Sequence, residues 1–157
     1  MRREHHQTFN AVLELAGATR VSREEVKDEL NTISNDFLDN FLKTALEYMM
    51  HSNRRTVTFD DVENTVRFLS MKIYGLNSPK IEEQIVLNKT KTETNIRNII
   101  QENRNEIRVS HDAMVSIMFV LQSYLITRVQ KAIFVAKLGN RLTVHDVDFI
   151  NSNLLCN

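Results

Sequence analysis

The chain has 157 residues, of which 42% are hydrophobic and 25% are charged, and its 20 basic side chains balance its 20 acidic ones. This composition is too apolar for a disordered chain and is sufficient for one compact domain or two small ones that share a core. Three glycines and one proline argue against an all-β fold with many tight turns. The glycines Gly17, Gly75 and Gly139 are too far apart for a glycine-rich phosphate loop, which excludes most nucleotide-driven enzymes.

Cysteine content and hydropathy predict a soluble intracellular protein. Cys156 is the single cysteine, so the chain has no internal disulfide, and a reducing compartment is favoured. The first residues lack the apolar stretch of a signal peptide, and the most apolar run, residues 113–126, is too short to span a bilayer. Basic and acidic residues are nearly balanced in both halves, so charge alone does not indicate a nucleic-acid partner.

One sequence unit occurs twice. Arg20-Val21-Ser22 opens a long stretch of apolar residues at helical spacing, and Arg108-Val109-Ser110 opens a second one. Each stretch ends in a polar turn, and a short β-branched run follows it. The pattern Thr-x-x-Asp-Val then appears at Thr58 and again at Thr143. The repeat predicts two similar structural units.

Each unit is predicted to contain a short helix, a long helix, a short strand and a further short helix. In the first unit, a helix over roughly residues 8–16 is stopped by Gly17, and a long helix starts at a Ser22–Glu25 capping box. In the second unit, a helix covers roughly residues 92–103, with Thr90 and Glu93 as a further start signal. The long helices are expected to run for roughly 25–30 residues, because neither contains glycine or proline.

The third helices are predicted to begin at Thr58 and Thr143, with Asp61 and Asp146 near their first turns. The segment from Gly75 to Lys91 is predicted to be a connector. One such unit cannot bury both sides of its long helix, whereas two units that cross in antiparallel orientation can.

The repeated unit resembles the histone fold, and each half resembles a particular core histone. Residues 20–74 resemble core histone four in the motifs Arg20-Val21-Ser22, Phe37-Leu38-Asp39-Asn40, His51, Arg54-Arg55-Thr56-Val57-Thr58, Asp61-Val62 and Ile73-Tyr74-Gly75. Residues 96–147 resemble core histone three in the motifs Arg97-Asn98-Ile99-Ile100-Gln101-Glu102, Arg108, Ala113-Met114, Tyr124-Leu125 and Arg141-Leu142-Thr143-Val144. The fusion is similar to the histone doublets encoded by some large DNA viruses.

This resemblance implies an all-α fold of two tandem histone folds that form an intramolecular handshake heterodimer, with short β segments in the loops. Residues 1–75 would form the histone-four-like fold, residues 76–91 a connector and residues 92–157 the histone-three-like fold. The chain departs from the family pattern in its first short helix, which is not basic, and in the absence of basic tails. Few phosphates would therefore be neutralised, and DNA binding is expected to be modest and steeply salt-dependent.

In a handshake, the first loop of one unit lies beside the second loop of the other. Arg20 is therefore expected near Arg141 and Thr143, and Arg108 near Arg54, Arg55 and Thr56. Such clusters can grip adjacent phosphates and insert an arginine into the minor groove. The N-termini of the two short helices, near Phe9 and Glu93, are expected to add backbone N–H groups. The complete set of predicted DNA-binding residues is Arg20, Arg54, Arg55, Thr56, Lys89, Arg97, Arg108, Arg141 and Thr143.

A structural interpretation competes with DNA contact at some of these positions. Arg54 is also predicted to pair with Asp61, and Arg141 with Asp146, as ion pairs that brace the second loop of each unit. The histidines show no metal-ligand spacing, and no nucleophile, base and cofactor loop converge, so neither a metal, a cofactor nor an enzyme activity is expected.

The favoured function is a histone doublet that wraps or compacts double-stranded DNA in nucleosome-like particles, without sequence specificity and without catalysis. Expected partners are DNA, a second copy through the second histone fold, and other histones or doublets, but no membrane. The expected location is the nucleus, a viral factory or a virion. The alternative is a neutral histone-fold scaffold that mediates protein–protein assembly in a transcription or kinetochore-like complex, which the zero net charge favours.

Overall fold

The computed structural model describes residues 9–153, and these contain the same series of elements twice. The first unit consists of α1 (Asn10–Ala16), β1 (Arg20–Val21), α2 (Arg23–His51), β2 (Thr56–Val57) and α3 (Phe59–Phe68). A short 3-10 helix (Ile81–Gln84) lies in the connector. The second unit consists of α4 (Lys89–Asn103), β3 (Arg108–Val109), α5 (His111–Leu138), β4 (Thr143–Val144) and α6 (Asp146–Ser152).

The ends of the long helices lie close to the predicted positions. Helix α2 has 29 residues and α5 has 28, and serines precede both. The Ser110 hydroxyl accepts a hydrogen bond from the Ala113 N–H at 3.1 Å, as an N-cap does. The Ser22 hydroxyl instead donates to the Glu25 carboxylate at 3.2 Å, so the predicted capping box is replaced by a side-chain pair. Gly17 ends α1 with φ 93°, a left-handed conformation that glycine adopts without strain.

Two helix starts differ from the sequence prediction. Helix α4 begins at Lys89, because the Asn88 side chain accepts the Lys91 N–H at 3.0 Å and caps the helix. Helix α6 begins after His145, not after Thr143. Thr143 and Val144 form strand β4, and a residue paired in a strand cannot have helical dihedral angles.

Two pairs of short parallel strands join the units. Arg20 pairs with Thr143 in β1 and β4, and Thr56 pairs with Arg108 in β2 and β3. The segment before α2 therefore lies beside the segment after α5, and the segment after α2 lies beside the segment before α5. The two long helices consequently cross in antiparallel orientation, which is the predicted handshake.

The core lies where the long helices pack against each other and against the short ones. The largest fully buried side chains come from both units: Leu30, Leu38, Phe41, Leu42, Met49, Ile96, Ile99, Ile100, Ile117, Leu121, Leu125 and Phe149. Each is worth about 1.5–3 kcal/mol of burial free energy. Every residue from Ala113 to Gln122 is buried. Helix α5 is long and apolar enough to cross a membrane, but 67% of its most apolar window is buried inside the fold, as expected for a core helix.

A buried glutamine fixes the end of the connector against α5. The Gln122 side-chain oxygen accepts the Val86 N–H at 2.7 Å and the Leu87 N–H at 3.4 Å. Its side-chain nitrogen donates to the Gln84 carbonyl at 2.9 Å. Ile85 and Leu87 are buried on either side, so this part of the connector belongs to the core.

Replacing Gln122 by alanine is expected to destabilise the fold by about 1–3 kcal/mol, because it leaves buried backbone groups of the connector without partners. Urea unfolding measures the loss, and limited proteolysis should show faster cleavage between residues 81 and 88. Gln130→Ala, at an exposed position of the same helix, is the control and should change stability by less than about 0.5 kcal/mol. Equal stabilities of the two variants would contradict the role assigned to Gln122.

Candidate nucleic-acid interface

The strand pairs assemble two basic loop clusters. Cluster one consists of Arg20, Arg141 and Thr143, and its strands are joined by the Ser22 N–H, which donates to the Val144 carbonyl at 2.9 Å. Arg20 is exposed, and Arg141 and Thr143 are half-buried. A surface depression beside it is lined by Arg20, Thr143 and Lys27. The structure therefore brings these three predicted residues together at one surface.

Cluster two consists of Arg54, Arg55, Thr56 and Arg108. The Arg108 N–H donates to the Arg55 carbonyl at 2.9 Å, next to the Thr56–Arg108 strand pairing. Arg55 and Arg108 are exposed, whereas Arg54 and Thr56 are half-buried. The predicted grouping of these four residues is present in the structure.

Arg54 braces the second loop of the first unit. Its guanidinium donates to both carboxylate oxygens of Asp61, at 2.8 and 3.0 Å, and to the Thr56 carbonyl at 2.8 Å. Asp61 is buried and also accepts the Thr58 N–H at 2.9 Å, at the start of α3. The predicted Arg54–Asp61 ion pair is present, and it ties the loop to the start of the third helix.

The brace of the second unit uses a different acid from the predicted one. Arg141 donates to Asp148, at 2.6 and 3.0 Å, and to the Thr143 carbonyl at 3.2 Å. The predicted partner Asp146 is wrong, because α6 begins two residues later than the Thr-x-x-Asp pattern indicates. Asp148 then occupies the third helical position and accepts the His145 N–H at 2.8 Å. The separation of arginine and aspartate is seven residues in both units.

The hydrogen bonds of the braces shift the pKa of Asp148, Arg54 and Arg141. Burial raises the pKa of the Asp148 carboxyl, but hydrogen bonds from Arg141 and the His145 N–H outweigh burial and hold that pKa below its ordinary value. Hydrogen bonding to Asp61 raises the pKa of Arg54, and hydrogen bonding to Asp148 raises the pKa of Arg141. Arg54 and Arg141 therefore stay charged but direct their donors into their own loops.

The remaining predicted cations differ in their local partners. Arg20 and Arg108 form no ion pair with any residue between 9 and 153. Arg55 pairs with Glu106 at 3.2 Å, and Arg97 pairs with Glu93 at 2.9 Å. Lys89 is exposed at the start of α4. A groove lined by Lys89, Arg97 and Val109 places these two cations next to strand β3 and hence next to cluster two.

The first turns of α1 and α4 lie side by side. A groove between them is lined by Phe9, Asn10, Asn88 and Lys91. The sequence predicted that both helix starts would lie at the interface but placed the second near Glu93. Lys27 and Lys91 were not predicted, since both lie inside helices and neither belongs to a repeated motif.

The second unit also has an exposed apolar face. Phe134, Leu138, Leu142, Val147 and Ile150 are each 48–68% exposed, on α5, on α6 and in the loop between them.

Arg54 and Asp61 in the first unit are equivalent to Arg141 and Asp148 in the second. This alignment identifies the positions of the first unit that correspond to the five residues of the apolar face. These positions hold Glu47, His51, Arg55, Asp60 and Glu63. The apolar face is thus a property of the second unit alone, because charged or polar residues replace it in the first.

Comparison with known proteins identifies the fold. No protein-family model and no curated protein matches the chain. The crystal structure of the histone from Methanopyrus kandleri is similar, with a TM-score of 0.65 and 17% sequence identity over 90% of each chain. Because the similarity covers nearly the whole length of both chains, it includes both units. The predicted fold, two histone folds in tandem, is confirmed.

Asp148→Ala is expected to destabilise the protein by about 1.5–3 kcal/mol at neutral pH, because it removes the acceptor of Arg141 and of the His145 N–H. Asp146→Ala is the matched control and should cost less than about 1 kcal/mol, since Asp146 lies in the first turn of α6 and interacts favourably with the helix dipole. Urea unfolding of both variants measures the difference.

The effect of Asp148 should also depend on pH. The pKa of Asp148 is lower in the folded than in the unfolded state. Its contribution to folding stability is therefore complete above the unfolded-state pKa of about 3.9, and it is lost as the pH falls through the folded-state pKa. The stability gap between the wild type and Asp148→Ala should therefore narrow in acid. A gap that widens on acidification would contradict the assigned ion pair.

Proposed function

We propose that this protein is a histone doublet that binds double-stranded DNA through its phosphates and packages it stoichiometrically, without catalysis. The observation that carries this proposal is the pairing of loops from different units, which sets Arg20 beside Thr143 and Arg108 beside Thr56. Guanidinium, hydroxyl and backbone N–H groups at one surface are the donors that phosphate oxygens accept.

The chemistry of the clusters supports binding without sequence specificity. Arg20 and Arg108 are exposed and carry no carboxylate partner among the described residues, so both can reach a phosphate or enter a minor groove. Phosphates carry no sequence information, and the minor groove carries little. Affinity would therefore follow the DNA backbone and its deformability.

The assembly in which the protein acts and its location are proposed from the resemblance to viral histone doublets. We place the protein in nucleosome-like particles in the nucleus, in a viral factory or in a virion, where other histones or doublets would complete the particle. The similarity to an archaeal histone supports the fold of such a particle component.

A scaffold that assembles proteins and hardly touches DNA is the second candidate. The zero net charge favours it, as do the ion pairs that occupy Arg54, Arg55, Arg97 and Arg141. It predicts no binding to DNA even at low salt.

DNA affinity measured over a range of salt concentrations distinguishes the two functions. Arg20→Ala combined with Arg108→Ala should weaken binding to all sequences equally and reduce the salt slope by about 0.9 for each lost phosphate contact. Arg67→Ala is the control, because Arg67 is also exposed but lies on α3 in an ion pair with Glu63. DNA binding unchanged by the double substitution would rule out the loop clusters, and no binding by the wild type would favour the scaffold.

The exposed apolar face of the second unit supports self-association through the second histone fold. Two copies that bury Phe134, Leu138 and Ile150 against each other remove apolar surface from water, and a contact of the same patch on both copies closes as a dimer.

Phe134→Glu and Ile150→Glu should each shift the protein to monomers in sedimentation equilibrium, because each would bury a charge in the contact. Glu47→Ala, at the position of the first unit that corresponds to Phe134, should leave the association unchanged. Monomers alone at high wild-type concentration, with and without DNA, would refute this contact.

A further inference from the structure

Four arginines of the proposed DNA surface have carboxylate partners, and these partners are of two kinds. Asp61 and Asp148 are buried, with side chains only 2% and 0% exposed, and they also accept backbone N–H groups at helix starts. Glu106 and Glu93 are exposed, at 80% and 43%, and pair with Arg55 and Arg97. The first kind is fixed by the fold, whereas the second can be exchanged without disturbing it.

Glu106 occupies a position that suits such an exchange. It belongs to the second unit, yet its carboxylate reaches Arg55 of the first unit at 3.2 Å. The Arg55 carbonyl accepts the Arg108 N–H, so the carboxylate lies at the strand pair of cluster two. Glu106 has φ 62°, a left-handed conformation that is uncommon for residues other than glycine and asparagine.

Cluster one has no such acid at the matching position. Glu106 lies two residues before Arg108, and the residue two positions before Arg20 is Ala18. The acid therefore distinguishes the two clusters, although their strand pairing is the same.

We propose that Glu106 is an internal counter-ion that occupies Arg55 of cluster two, and that Glu93 does the same for Arg97 in the neighbouring groove, until a DNA phosphate replaces them. A carboxylate presents the same kind of acceptor oxygens to a guanidinium as a phosphate does. Because both partners are exposed, the ion pair is weak and readily opened. This inference rests on the proposed DNA-binding function and adds to it that the protein restrains its own affinity.

The glutamates reduce the effective positive charge that the protein presents to DNA. When a phosphate replaces Glu106 at Arg55, the displaced carboxylate stays near the DNA and repels it. The arginine and the glutamate together then neutralise almost no phosphate charge. The wild type should accordingly bind more weakly, and with a shallower salt dependence, than a protein without the two glutamates.

Fluorescence anisotropy with a short labelled duplex tests this inference on the full chain. Glu106→Gln should tighten DNA binding roughly threefold to tenfold at low salt and steepen the salt slope by about 0.9, and Glu93→Gln should act in the same direction. Glu83→Gln, an exposed connector glutamate, removes the same charge elsewhere and serves as the control. The melting temperature of Glu106→Gln should equal that of the wild type, which separates charge release from a structural effect.

The variant Arg55→Ala decides whether Glu106 acts through its partner. In the Arg55→Ala background, Glu106→Gln should gain clearly less affinity than in the wild-type background. The inference is overturned if Glu106→Gln changes affinity no more than Glu83→Gln, or if its effect is the same without Arg55. If the wild type binds no DNA at the lowest salt, both the proposed function and this inference fail. If the wild type binds DNA but Glu106→Gln leaves the affinity unchanged, only this inference is overturned.

Discussion

The pairing of two-residue parallel strands between the units is the constraint on which the surface of this protein depends. Each pair contributes only a few hydrogen bonds, so it cannot hold the units together by itself. The crossing of α2 and α5 buries the apolar side chains that supply the stability, and this packing brings the loops within pairing distance. The strand pairs then fix the register, which decides that Arg20 faces Thr143 and that Arg108 faces Thr56.

The arginine–aspartate braces fix the conformation of the loops that the strand pairs place side by side. In each unit, a buried aspartate binds both the arginine of the loop and the N–H that precedes the third helix. The helix start and the loop conformation therefore stabilise each other. A loop held in this way loses less conformational entropy when it binds a phosphate than a mobile loop would. Arg54 and Arg141 support their own loops through these contacts, and their contact with DNA stays a prediction.

Helical spacing and the internal repeat were sufficient to predict two similar helical units that cross, and the resemblance to core histones implied the particular fold. The same symmetry predicted the loop clusters and the Arg54–Asp61 pair. It misled the assignment of Asp146, because Thr143 satisfied a helix-start pattern while the structure uses it in a strand. The role of Gln122 could not be predicted, since a single polar residue in an apolar helix gives no indication of which distant backbone groups it binds.

Zero net charge and a DNA-binding role are compatible once the positions of the charges are considered. A uniformly basic protein attracts DNA with its whole surface, whereas here loop arginines from both units are held together in two clusters. The second unit replaces charged residues by an exposed apolar face, which suits contact with another copy. The first unit holds Glu47, Asp60 and Glu63 at three of the matching positions and His51 and Arg55 at the other two, so it lacks this apolar face. Binding would then depend on where the arginines are held, and the fold determines that position more directly than the overall charge does.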